Sequence, residues 1–262
     1  MIWMMLAAAM MAQPEADPQG NLLINGSFEE PAAEPAQLDP NRIGEWWSFA
    51  GPKRPYWRGF ERTDEQSIDG DHSVKLILDS DLNPTTSTLI IGAIQNVKTE
   101  TMPEELSGWV RLDGWERGTM RQYVQIVVIV WDVTGNLPPG YGLKNYQIAY
   151  TFGGVQKPPL EINNRKFQLI GEALDLENDE HEMNEGEWVR FDLNPREDFK
   201  RLWKVDPSDF EYVRVLYEVR YDGRDDKFEP DARAAVYWDG LHFGPDLDGD
   251  ADWPILEKSE TE

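Results

Sequence analysis

The chain has 262 residues, with 25 Lys and Arg against 49 Asp and Glu, a formal net charge of −24. That length holds one large domain or two small ones, and that charge repels nucleic acid and anionic lipid surfaces. Cysteine is absent, which excludes disulfides, thiolate metal sites, iron–sulfur clusters and thiol catalysis.

Residues 2–11 form a short apolar run closed by Ala12-Gln13-Pro14. The run is too short to span a bilayer and has the length of a signal-peptide core. Residues 1–12 therefore read as an export signal, and the mature protein as secreted, periplasmic or held at the cell surface. Residues 13–20 read as a linker, and residues 30–42, rich in Pro, Ala, Glu and Asp, as a loop.

From 21 to 245 the chain is a series of short alternating runs separated by Gly, Pro, Asn and Asp, the signature of antiparallel β structure. Strands are expected at 21–25, 73–79, 88–97, 106–112, 122–132, 145–152, 166–175, 187–193, 210–221 and 233–243. One helical turn or two is expected at Arg196–Trp203, after Asn194-Pro195. Without long stretches of 3.6-residue period, parallel βαβ architecture is disfavoured. Residues 133–187 read as enlarged loops or an added hairpin, and contain Pro138-Pro139-Gly140-Tyr141-Gly142. Within them, Asp175 to Glu187 holds seven carboxylates and no Lys or Arg. Residues 246–262 read as an acidic tail. Asn25-Gly26-Ser27 has the letters of a glycosylation acceptor and reads as a turn.

Two strands report their faces. In the first, Val124, Ile126, Val128 and Val130 form one uniformly apolar set, opposite Tyr123, Gln125, Val127, Ile129 and Trp131. In the second, Val213, Val215, Tyr217 and Val219 stand opposite Tyr212, Arg214, Leu216, Glu218 and Arg220. Period-2 alternation sends each pair of sets to opposite faces of a sheet. One face is core; the other carries aromatic and planar polar groups and is expected to be concave and open to solvent.

Three segments carry a family resemblance: Asn21-Leu-Leu-Ile-Asn-Gly-Ser-Phe-Glu29, Ile68-Asp-Gly-Asp-His-Ser-Val-Lys-Leu76 and Val236-Tyr-Trp-Asp-Gly-Leu-His-Phe243. In that order, in a Trp-rich chain, they resemble the jelly-roll modules of the galactose-binding-like superfamily. The pattern is similar to carbohydrate-binding modules attached to bacterial cellulases and xylanases. It covers about 21–132 and 186–245. The resemblance implies an all-β fold, an antiparallel two-sheet jelly-roll β-sandwich with long loops at 133–187, over residues 21–245. It implies a non-catalytic protein whose partner is a polysaccharide or other glycan. It also places Trp46, Trp47, Trp109, Trp188 and Trp238 at structural positions.

Sugar recognition rests on flat aromatic faces against pyranose rings and planar polar groups on hydroxyls. The candidate ligand-binding residues are Tyr123, Gln125 and Trp131, then Tyr212, Arg214 and Arg220, with Tyr56 and Trp57 as a loop platform. Taken singly, an aromatic is more often core than ligand, and the face argument favours Tyr123 and Trp131 alone. The resemblance further implies a structural calcium, with carboxylates from Glu29 and Asp239 and backbone carbonyls around Asp69 and His72. Mixed carboxylate and carbonyl oxygens suit Ca²⁺. The alternative is that backbone N–H groups satisfy both carboxylates.

Enzyme signatures are sparse. His72, His181 and His242 are scattered, and no nucleophile elbow, Walker loop or dinucleotide fingerprint occurs. A structural or adhesive surface protein, and a jelly-roll glycosidase or lyase, stay open as alternatives.

Overall fold

The computed structural model describes residues 20–31, 44–48, 58–82, 88–116, 118, 121–131, 145–155, 161–162, 165–169, 185–204, 206–207, 210–221 and 232–247. The strands are β1 (Trp47–Ser48), β2 (Glu61–Thr63), β3 (Ser73–Asp79), β4 (Leu89–Val97), β5 (Glu105–Glu116), β6 (Arg121–Trp131), β7 (Asn145–Val155), β8 (Glu161–Ile162), β9 (Arg165–Leu169), β10 (Trp188–Leu193), β11 (Tyr212–Tyr221) and β12 (Arg233–Gly244), with one helix, α1 (Pro195–Trp203). Nine of the ten expected strands are present, and the helix lies where Asn194-Pro195 announces it.

The strands form a seven-stranded sheet, in the order β1-β4-β11-β6-β7-β9-β8, and a five-stranded sheet, β10-β5-β12-β3-β2. The pairings are nested: β3 with β12, β4 with β11, β5 with β10, and β6 with β7, all antiparallel. This is one long hairpin rolled up, so that successive pairs fall alternately in the two sheets. Cross-pairs β5–β12 and β6–β11 complete the sheets. The fold is therefore a two-sheet jelly-roll β-sandwich. β8 and β9 extend the seven-stranded sheet beyond β7, and β9 joins β7 in parallel.

The core lies between the sheets. Val124, Ile126, Val128 and Val130 are buried in it, as are Val213, Val215, Tyr217 and Val219. Both sets follow the alternation of their strands. Trp238 from the last strand meets Phe152, Phe191 and Tyr217 at ring-centroid separations of 5.5, 5.9 and 5.2 Å. Truncating such a ring to Ala costs about 3–5 kcal/mol. The short helix closes one side. Asn194 Oδ1 accepts the N–H of Glu197 at 3.0 Å, Pro195 opens the first turn, and Phe199 and Trp203 are buried. The Trp203 indole donates to the Gln147 carbonyl at 3.1 Å, fixing the helix to β7. Among the described residues, no helix is long and apolar enough to cross a membrane.

The expected first strand, 21–25, is instead coil and turn. Beyond one backbone bond, from the Leu22 N–H to the Phe243 carbonyl, side chains stand in for a ladder there. Asn21 donates to the Leu241 carbonyl and accepts from the Leu23 and Phe243 amides. Gln95 both accepts from the Ile24 N–H and donates to its carbonyl. Asn25, at φ 55, closes the turn by exchanging two hydrogen bonds with the Glu30 backbone.

Candidate functional site

The outer face of the seven-stranded sheet collects most of the candidate residues. Cross-strand register sorts them into rows. Arg220 stands beside Tyr123, followed by Glu218, Gln125 and Thr151 in the next row. An apolar row follows, Ile94–Leu216–Val127–Ala149, then Asn96–Arg214–Ile129–Gln147, then Tyr212–Trp131–Asn145. Tyr123, Gln125, Trp131, Tyr212, Arg214 and Arg220 thus share one face, drawn from two neighbouring strands.

That face is not the open surface expected from the alternation. Tyr123 is 4% exposed, Gln125 0% and Tyr212 7%, while Trp131 is half-buried. All nine residues of β4 are buried, so the strand is shielded on both faces. A second apolar cluster, Trp47, Ile94, Val127, Ile129, Ala149 and Leu216, lies here with Trp131 packed on it. Alternation reveals which residues share a face, but it does not reveal whether that face has a cover.

At one end Arg214 fills an aromatic cage. Its guanidinium lies 4.9 Å from the Trp47 ring, 5.2 Å from Trp131 and 5.6 Å from Tyr212. Its Nε donates to Asn96 Oδ1 at 2.7 Å. Burial lowers the Arg214 pKa from its ordinary value. Cation–π contact offsets desolvation, because the ring faces supply the negative potential that water no longer does. Part of the expected aromatic platform is therefore engaged within the protein.

At the other end is a polar row. Gln125 Nε2 donates to Glu218 Oε1, and Arg220 Nη1 donates to the same oxygen at 3.3 Å. The Arg220 guanidinium also lies 5.6 Å from the Tyr123 ring. Gln125, Glu218 and Thr151 are all buried. Gln125 Oε1, Thr151 Oγ1 and the Trp131 indole Nε1 have no hydrogen-bond partner among the described residues. Buried polar atoms in folded proteins are nearly always satisfied, but the Tyr217 hydroxyl and the Trp238 indole in the inter-sheet core are likewise without a partner among the described residues, so these orphans alone do not mark a site.

Glu218, Thr151, Asn96 and Trp47 are missing from the sequence-derived ligand set. Glu218 was visible in the alternating set of β11, between Arg214 and Arg220. Thr151 was not, because β6 and β7 pair with register shifts between Arg121 and Gln125. Tyr56 and Trp57 lie outside the described residues.

The residues expected to hold calcium do come together, around the turn at 68–72. Their donors run the other way from a cation site. Glu29 Oε1 accepts the Asp71 and His72 amides at 2.9 and 2.8 Å, and Oε2 meets His72 Nδ1 at 3.2 Å. Asp239 Oδ2 accepts the Ile68 and Asp69 amides, and Oδ1 accepts that of Gly240 at 2.8 Å. Three of the four carboxylate oxygens accept backbone N–H groups and the fourth meets the His72 ring. Among the described residues, no group of three His, Cys, Asp or Glu is placed to hold a metal ion. Arranged this way the set staples the turn; a Ca²⁺ ion there would have to share these oxygens with the amide donors and recruit further oxygen ligands. Gly70, at φ 85, is required within it: a Cβ there would lie 2.5 Å from Glu29 Oε1.

The two carboxyls differ electrostatically. Burial pushes Asp239 up to about 7, against the downward pull of its three amide donors. For Glu29, burial acts upward but the His72 and Asp71 donors outweigh it, and the carboxyl is held below its ordinary value.

No family model and no curated protein matches the sequence. Among solved structures, the chain is similar to a family 61 carbohydrate-binding module in complex with β-1,4-galactotriose, at 11% identity over 85% of this chain and 97% of that one, with a TM-score of 0.38. It is also similar to the enzymatically active domain of tailspike protein 4 of bacteriophage CBA120, at 11% identity over 86% of this chain and 21% of that one, TM-score 0.36. A third is the laminarinase catalytic domain from Thermotoga maritima, at 12% identity over 79% and 93%, TM-score 0.33. A binding module and catalytic domains stand side by side, at scores too low to carry a functional argument. The fold rests on the nested strand pairing.

Proposed function

We propose that the protein is a non-catalytic carbohydrate-binding module, exported by way of the apolar run at residues 2–11, and that it binds glycan at the outer face of the seven-stranded sheet. One observation carries the reading. Trp131, Arg214, Asn145 and Gln147 share one end of this face and are each partly exposed, so an aromatic ring and planar polar atoms reach the surface together. Hydroxyl groups of a sugar supply donors and acceptors to such atoms, and the apolar side of a pyranose suits an aromatic face.

The non-catalytic part has its own support. Glycoside hydrolysis normally needs two carboxyl groups flanking the scissile bond. Glu218, the carboxylate in the polar row of this face, is already engaged by Gln125 and Arg220.

The reading is tested on a glycan array, with insoluble-polysaccharide pull-down and a reducing-sugar assay on every hit. Binding without sugar release is expected. No binding across the panel removes the glycan. Sugar release abolished by Glu218→Gln makes the protein an enzyme.

A further inference from the structure

We infer that the outer edge of β10 pairs with the same edge of a second copy of this chain, antiparallel about a two-fold axis at Phe191, joining two five-stranded sheets into one. The inference is independent of the glycan reading and concerns the other sheet. It starts from the edges of the sandwich. Among the described residues, four strands have a neighbour on one side only: β1, β8, β2 and β10. β1 and β8 are two residues long and β2 is three, too short to template a partner. β10 has six residues, Trp188–Leu193.

The two faces of β10 are distinct. Val189, Phe191 and Leu193 lie opposite Val110, Gly108 and Leu106 of β5, and Trp188, Arg190 and Asp192 opposite Arg111, Trp109 and Ser107. Phe191 and Leu193 are buried and Val189 is half-buried against the core, while Arg190 and Asp192 are exposed. The Phe191 ring meets Phe152 and Trp238 edge-on at 5.5 and 5.9 Å, so the core fixes the strand from within. A strand already held in place loses little freedom when it gains a neighbour.

Register decides whether the edge fits itself. Opposed residues of antiparallel strands share a face, so a two-fold pairing centres on a residue. Two centres keep five residues of each β10 in register. Centring on Arg190 sets two guanidinium groups against each other. Centring on Phe191 sets Arg190 of each copy opposite Asp192 of the other, and Val189 opposite Leu193 on the core side. The unlike pair then forms twice, and like charges are nowhere opposed. Within one strand the same two side chains make only a loose contact, 3.7 Å from Nη2 to Oδ2, at 39% and 62% exposure.

The net charge of −24 opposes association. That repulsion is spread over the whole surface and is screened beyond about 8 Å at physiological salt. Opposed side chains on paired strands stand about 5 Å apart, inside that distance.

The test is sedimentation equilibrium of the intact protein over a concentration series at physiological ionic strength. Wild type is run beside Arg190→Asp, Asp192→Arg and the double exchange that carries both, with thermal melts as the fold control. Wild type is expected to dimerise. Each single reversal opposes like charges twice and should weaken the dimer by roughly tenfold or more. The double exchange should restore it. An equimolar mixture of the two single variants should also dimerise, since every charge pair across the edge is then unlike. A wild type that stays monomeric throughout the series overturns the inference. So does a dimer that the single reversals leave unchanged, or a mixture of folded single variants that does not associate. If a single reversal does not fold, Arg190→Ala combined with Asp192→Ala takes its place: a weakened dimer supports pairing at this edge, and an unchanged one overturns it.

Discussion

Oδ2 of Asp239 accepts the amide protons of Ile68 and Asp69 at 2.8 and 3.0 Å, joining the last strand to a turn 171 and 170 residues earlier in the chain. Glu29 holds the same turn from its other side, through Asp71 and His72. Two carboxylates from opposite ends of the chain thus fasten one loop, and they do so with opposite responses to pH.

Asp239 titrates about 7 in the folded protein against an ordinary 3.8, with burial as the leading cause. A raised carboxyl contributes stability that is fully present below the ordinary value and is lost as pH rises toward 7. Asp239→Asn cannot ionise. Its melting temperature relative to wild type should therefore climb between pH 4 and 7 and level off above. A difference that stays flat over that range contradicts the raised value.

Calcium should have no effect on stability. A ligand bound only by the folded state raises the melting temperature by mass action, and neither carboxylate offers a cation a set of free oxygens. Differential scanning calorimetry in chelator and in millimolar Ca²⁺ should give superimposable melts. A rise on adding Ca²⁺ would show that the turn rearranges to turn carbonyls inward.

Arg214 should resist conservative replacement. Its planar guanidinium stacks among Trp47, Trp131 and Tyr212 while Nε bonds Asn96. A lysine ammonium keeps the charge but neither the plane nor the fixed fork, and it is more strongly hydrated. Arg214→Lys should cost about 1–3 kcal/mol in chemical denaturation, the range for a desolvated charged hydrogen bond plus cation–π contact. Unchanged stability would mean that the cage contributes nothing beyond charge.

The legible parts of this molecule are those that period-2 alternation governs. The inward set of β6, Val124, Ile126, Val128 and Val130, could be assigned from spacing alone, and its neighbours on β11 likewise. The outward set was grouped correctly but misjudged as open. Val127 and Ile129 in that set were the sign of a cover, since apolar residues on both faces mark a strand buried on both. The segment at 21–25 has the letters of a strand, yet beside one backbone bond from Leu22 to Phe243 the Asn21 and Gln95 side chains take most of the bonds a ladder would have made. No local pattern reports that choice. The Gln125–Glu218 bond links residues 93 apart in sequence, and the donors around Glu29 and Asp239 depend on the same long-range closure. Spacing could bring those carboxylates to the turn at 68–72, but not say whether amides or carbonyls would face them.

The measurement closest to the central proposal is calorimetric affinity for an array-positive glycan in wild type, Trp131→Ala and Tyr237→Phe, the last on the outer face of the other sheet, where its hydroxyl meets Glu65. Removing an aromatic platform costs about 1–3 kcal/mol of binding. Trp131→Ala should therefore bind about 5- to 140-fold more weakly, at one conversion of 1.4 kcal/mol per decade, while Tyr237→Phe binds as wild type does. Undiminished binding by a folded Trp131→Ala variant would contradict the placement of the glycan on the outer face of the seven-stranded sheet.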